Sequence, residues 1–152
     1  MISPDSLRIK GRLNILLADQ YGNIKDEREV DNLVVTAGLT YIASRMKDAT
    51  ATAMSHMAVG TNSLAAAAGQ TDMQTILGAK VALTSTTAST SSIVYVGDFG
   101  AGVSTGAIVE AGIFNSGTLA TGTMLCRTVF AVVNKGALDT MKITWTINLT
   151  AT

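Results

Sequence analysis

Between Thr140 and Thr150 the chain alternates without a break: Met141, Ile143, Trp145, Ile147 and Leu149 fall on one side, Lys142, Thr144, Thr146, Asn148 and Thr150 on the other. A two-residue period belongs to an extended strand with one buried and one solvated face. Trp145 shares the apolar side, which assigns it to a core.

The rest of the chain supplies partners for such a strand. Lys80 to Ser85, Ser92 to Phe99, Ala107 to Phe114 and Met124 to Val133 are runs with strand character, separated by Gly, Ser and Thr. Asn134-Lys135-Gly136-Ala137 reads as the turn joining the last of these to the alternating strand. Nearer the amino end, Leu7, Ile9, Leu13, Ile15 and Leu17 alternate with Arg8, Lys10, Arg12 and Asn14. Turn chemistry at Asp19-Gln20-Tyr21-Gly22-Asn23 then leads into a charged strand, Ile24 to Val30, so that residues 7–30 form a hairpin with one solvated face. Met54 to Val59 is a short strand stopped by Gly60-Thr61-Asn62.

One segment follows another period. Leu39, Ile42, Ala43 and Met46 stand at i, i+3, i+4 and i+7, an apolar helical stripe, with Thr36 as N-cap and Arg45 and Lys47 complementing the dipole at its end. Leu64 to Leu77 is ambiguous, and Thr71-Asp72-Met73-Gln74 could open one or two helical turns. The expected fold is mainly β, an antiparallel β-sandwich or barrel-like structure with one α-helix packed on it. No repeat or linker divides it, so residues 1–152 form a single domain.

Charge narrows the function. Of 152 residues, 14% are charged, and eleven basic side chains balance eleven acidic ones. A balanced chain lacks the cationic footprint of a nucleic-acid binder. The charge is crowded into the first third, and after Asp48 only Asp72, Lys80, Asp98, Glu110, Arg127, Lys135, Asp139 and Lys142 remain. So bland a remainder is difficult to keep soluble as an isolated monomer, which points to a homo-oligomer or a subunit of a larger assembly. The uncharged stretch Ala49 to Thr71 is too polar to span a membrane. Met1 to Arg12 has no apolar h-region, so cytoplasmic synthesis without export is expected, and the glycosylation sequon at Asn148-Leu149-Thr150 then carries no meaning.

Little chemistry is encoded. The one histidine, His56, lies in an apolar strand, and the one cysteine, Cys126, reads as a small buried hydrophobe. Seventy positions apart, they have no metal-ligand spacing. Asp98 and Glu110 are the only carboxylates in the β-rich half that could form a glycosidase pair. Glu110 sits in an apolar run, where an inward carboxylate needs a partner; Arg127 on a neighbouring strand is the candidate for a structural ion pair. Gly97 to Gly106 lacks phosphate-loop spacing and precedes a strand, so it reads as a flexible hairpin loop. Tyr95, Phe99 or Trp145 could line a shallow binding site. No catalytic, cofactor-binding or metal-ligating residue is assigned, and the chain is read as a non-enzyme.

Four segments carry a resemblance. Asn32 to Met46 (NLVVTAGLTYIASRM), His56 to Thr61 (HMAVGT), Gly106 to Asn115 (GAIVEAGIFN) and Gly122 to Leu149, taken in that order, resemble a family of small tailed-bacteriophage virion proteins. More distantly, the order is similar to the collar-proximal domain of phage tail fibres. The resemblance implies a structural protein on the outer capsid surface of the virion, made in the host cytoplasm. Its role would be to decorate and cement the head by bridging subunits of the major capsid protein, as a dimer or trimer without cofactors. The alternative it leaves is a tail or tail-fibre adaptor. The charged 7–30 hairpin is then the segment expected to contact the capsid protein or a neighbouring subunit.

Overall fold

A computed structural model of the chain describes residues 6–152; Met1 to Asp5, part of the segment read above as lacking an h-region, lie outside the described residues. Nine strands and one helix follow in the order β1 (Leu7–Ala18), β2 (Ile24–Val34), α1 (Thr36–Lys47), β3 (His56–Gly60), β4 (Val81–Ala82), β5 (Ser85–Ser89), β6 (Ser92–Phe99), β7 (Gly106–Phe114), β8 (Met124–Lys135) and β9 (Thr140–Ala151). All pair antiparallel in one sheet ordered β4-β3-β7-β8-β2-β1-β9-β6-β5. The sheet curls into a half-barrel with the helix on it, so the fold is mainly β and barrel-like.

The curl comes from β2. Its first part pairs with β1 from Ile24 to Asn32, and its last two residues, Leu33 and Val34, turn to pair with Arg127 and Cys126 of β8. Two arms thus share one strand. Their inner faces meet in a core that includes Leu13, Ile15, Leu17, Met57, Phe99, Ile113, Cys126, Ile143 and Trp145. Gly97 on one arm leaves room for Met57 on the other, since a Cβ there would stand 2.8 Å from the methionine sulfur. The alternation of β9 is borne out at Met141, Ile143, Trp145 and Ile147, all buried, while Leu149 is half-buried at the open end.

Several expectations need correction. Residues 7–30 do form the expected hairpin of β1 and β2, and β1 also pairs with β9 along all twelve of its residues, from Leu7↔Ala151 to Ala18↔Thr140, so the hairpin lies inside the sheet. The turn itself is as expected, with Gly22 at φ 83° and Asp19 Oδ1 accepting the Tyr21 and Asn23 amides at 2.9 Å. Gly97 to Gly106 is not a hairpin loop, because β6 and β7 belong to opposite arms. The turn after β8 likewise crosses between arms. These two arches are tied together by Gly102 N–H donating to Ala137 O at 2.8 Å and Lys135 Nζ to Gly100 O at 2.8 Å.

The helix spans the expected residues but only Ile42 of its expected stripe turns inward. Leu39 and Met46 are 48% and 81% exposed, and Ala43 is exposed too. Of the expected stripe Ile42 packs on the core, and Gly38 and Tyr41 make the rest of the contact. A Cβ on Gly38 would stand 2.1 Å from Leu125 O, so the missing side chain lets the helix backbone lie on β8. Thr36 is not the N-cap; Val35 is, without a side-chain bond, and the Thr36 amide donates to Ala68 O at 2.8 Å. Residues 64–77 form no helix. The expected Lys80 to Ser85 strand breaks at Leu83 and Thr84, where the chain passes from one sheet edge to the other; Leu83 N–H bonds to Ser55 O and Thr84 N–H to Val96 O.

Candidate functional site

Beyond the main core, the outer face of β3, β7 and β8 is also covered. Residues 61–79 fold over it, and Met73 and Ile76 pack with Ala58, Phe114, Met124 and Val35 in a second small cluster. At its centre lie Glu110 and Arg127, both fully buried. In the β7–β8 register Arg127 stands opposite Gly112, and Glu110 is two residues along on the same face. The bare glycine makes room for the loop beside the pair, since a Cβ on Gly112 would stand 2.9 Å from the Met73 sulfur.

The pair then grips the loop. Glu110 Oε2 accepts from Arg127 Nε at 2.8 Å and from the Gln74 amide at 3.1 Å; Oε1 accepts the Thr75 amide at 2.8 Å and the Asn62 amide at 3.4 Å. Arg127 Nη1 donates to Leu64 O at 2.9 Å and Gln70 Oε1 at 3.0 Å, and Nη2 to Asn62 O at 3.4 Å. A carboxylate offers about four lone-pair positions and a guanidinium five donors, so the pair is close to saturated. Gly60, across from Glu110 on β3, completes the fit: a Cβ there would come within 2.2 Å of Thr75 O and 2.3 Å of Glu110 Oε1. The arrangement is a strut that takes the place of regular secondary structure in this loop, meeting its backbone groups at Asn62, Leu64, Gln74 and Thr75.

Two lysines do similar work. Lys80 is buried over the Phe114 ring, 3.9 Å from its centroid, and donates to Thr118 O at 3.1 Å and Thr121 O at 2.9 Å, holding the loop between β7 and β8. Lys135 holds the Gly100 arch as described. Burial lowers the pKa of both below the ordinary lysine value. Asp139, beside Lys135, accepts from the Gly136 amide and from Lys25 Nζ at 2.7 Å, and those bonds hold its carboxyl below the usual carboxylate range. Sequence reasoning missed these anchors. The signal was available at Lys80, a lone cation entering an apolar run, but the carbonyls it serves lie nearly forty residues away.

The expected Glu110–Arg127 ion pair is present. Asp98 belongs elsewhere: it is exposed, accepts from Thr84 Oγ1 at 2.6 Å and stands 3.8 Å from Lys142 Nζ, so the two carboxylates share no partner. His56 is half-buried with Nδ1 2.8 Å from Ser55 Oγ. Cys126 is buried and free, and burial pushes its thiol well up. Phe99 and Trp145 are core residues, with Trp145 Nε1 donating to Asn32 Oδ1 at 3.0 Å. Tyr95 is buried too, its hydroxyl pushed up to about 12 by desolvation, at the floor of an apolar groove of about 470 Å³ at the open end of the half-barrel, between α1 and β5. Among the described residues no cluster of three His, Cys, Asp or Glu side chains could hold a metal, and no helix is long and apolar enough to cross a membrane. Comparison with family models, curated proteins and solved structures gives no match to this chain.

Proposed function

We propose that this chain is a structural protein of a tailed-bacteriophage virion, a head decoration or cement subunit that sits on the outer capsid surface and bridges major capsid proteins. One observation supports the reading above others. The residues that carry the family resemblance, Gly60, Glu110, Gly112 and Arg127, direct their space and polar groups to holding a loop on the sheet. The neutral overall charge fits the same role, because a weakly charged subunit crowds on a shell without strong self-repulsion.

The test is stoichiometry in purified particles. A cement subunit follows the capsid lattice and is present in amounts comparable to the major capsid protein. Its removal lowers the temperature at which heads release DNA, since a ligand of the assembled state stabilises that state. A protein found at a few per cent of the capsid protein and labelled only on the tail would be a tail or tail-fibre adaptor component, and the cement reading would fall.

A further inference from the structure

The sheet ends at β5, and its free edge is unusually bare. Ser85 to Ser89 is exposed throughout, and no charged residue or proline lies between Lys80 and Asp98. Natural sheets blunt their edges with such residues, because unpaired backbone groups invite another strand. Which groups are free follows from register. Ser91 O accepts the Leu149 amide at 2.9 Å, so the odd-numbered residues here face β9. The even residues Ser92, Val94 and Val96 therefore face β5, where they pair with Ser89, Thr87 and Ser85. That leaves the N–H and C=O of Thr86 and Ala88 directed outward, and no backbone or side-chain bond outside the β5–β6 ladder reaches them among the described residues.

We propose that β5 pairs antiparallel with β5 of a second copy of this chain, about a two-fold axis through Thr87. The free groups are placed symmetrically about that residue. Thr86 of one copy then exchanges both bonds with Ala88 of the other, and Ala88 with Thr86, so four N–H···O=C bonds form and every free donor meets an acceptor. Such self-complementarity is what a closed two-fold interface demands. The strand is uncharged, so two copies approach without like-charge repulsion. Thr87 faces its own counterpart in a non-hydrogen-bonded pair, the closest cross-strand spacing, at about 4.5 Å between Cα atoms. Two five-residue edges are small beside the roughly 1,200–2,000 Å² of a standard interface. The apolar groove beside the edge, with Tyr41, Met46 and Leu149 in its walls, supplies further area.

The experiment uses the purified chain alone, so its outcome is independent of the capsid reading. Sedimentation over a concentration series is expected to show the mass of one chain rising to that of two. Ala88→Pro removes the outward amide of each copy and leaves the β6 ladder whole, weakening dimerisation about tenfold or more. Should that variant not fold, Thr87→Cys answers the same question, since Cys126 is buried and does not compete. Mild oxidation should link Thr87→Cys copies into a disulfide dimer. Ser85→Cys, whose counterpart across the axis is Ser89, should not link. A chain that stays monomeric at all concentrations, a trimer, or equal cross-linking at both positions would overturn the proposal.

Discussion

Replacing Arg127 by leucine tests whether the buried pair is the clamp of the 61–79 loop. The substitution strands the Glu110 carboxylate, which is wholly buried, and removes the donors to Leu64 O, Gln70 Oε1 and Asn62 O. Breaking a buried pair in this way costs about 3–5 kcal/mol. The loop can avoid that cost by lifting so that water reaches the carboxylate. Lifting exposes Met73, buried in the outer cluster and worth about 1.5–3 kcal/mol, and the partly buried Ile76, worth less. The two routes are close in energy, so we expect a loss of about 3–4 kcal/mol and a native state in which the loop opens often. Urea unfolding followed by Trp145, the chain's one tryptophan, measures the loss. Amide exchange at Gln74 and Thr75, the residues that donate to Glu110, reports opening. Arg12→Leu is the control, because the Arg12–Glu29 pair is exposed and is worth about 1 kcal/mol or less. A loss below about 1 kcal/mol for Arg127→Leu, with both amides still protected, would refute the clamp.

Other expectations follow from the same packing. Trp145→Ala should cost about 3–5 kcal/mol in the urea midpoint, read by circular dichroism; a surface-like loss under about 0.5 kcal/mol would remove it from the core. Gly60→Ala should destabilise strongly through the collisions with Thr75 O and Glu110 Oε1, whereas Gly100→Ala, with nothing within 4 Å of the new methyl, should be nearly silent. Met46→Ser should leave the melting temperature almost unchanged, since that side chain is mostly in water. The Tyr95 hydroxyl binds its proton more tightly in the folded chain than in the unfolded one. Its stabilising contribution is therefore complete below about pH 10 and is lost as pH rises towards about 12; Tyr95→Phe should flatten that decline.

Strand content was legible because alternation is a local property. Ser92 to Phe99 is bounded as its residues indicate, and Met141 to Ile147 face the core as their spacing requires. The Glu110–Arg127 pair was legible for a different reason, since a charge in an apolar run must find its opposite. Its other partners were not, because they are backbone amides and carbonyls that carry no residue-type signature. The helix face was misjudged because hydrophobicity locates bulky side chains, while this helix docks through Gly38, where the absence of a side chain sets the distance. The Gly97 to Gly106 arch was misjudged because glycine-rich turn chemistry marks a reversal of the chain without saying whether the two strands it joins pair with each other. The 7–30 hairpin was legible because its two strands are neighbours in sequence, but its pairing with β9 was not, that partner being more than a hundred residues distant.

That long-range pairing governs how the chain acquires its structure. Since β1 is flanked by β2 and β9, one of its edges can be satisfied within a few residues of synthesis and the other only after β9 has left the ribosome. Folding dominated by such distant pairings is slow, on the order of milliseconds to seconds, and leaves strand edges open to neighbouring chains meanwhile. The interval falls when the sparsely charged middle of the chain is exposed. Through that interval the early hairpin holds the densest charge present, with Arg8, Lys10, Arg12, Lys25, Asp26, Glu27, Arg28 and Glu29, until β9 pairs alongside Leu13, Ile15 and Leu17.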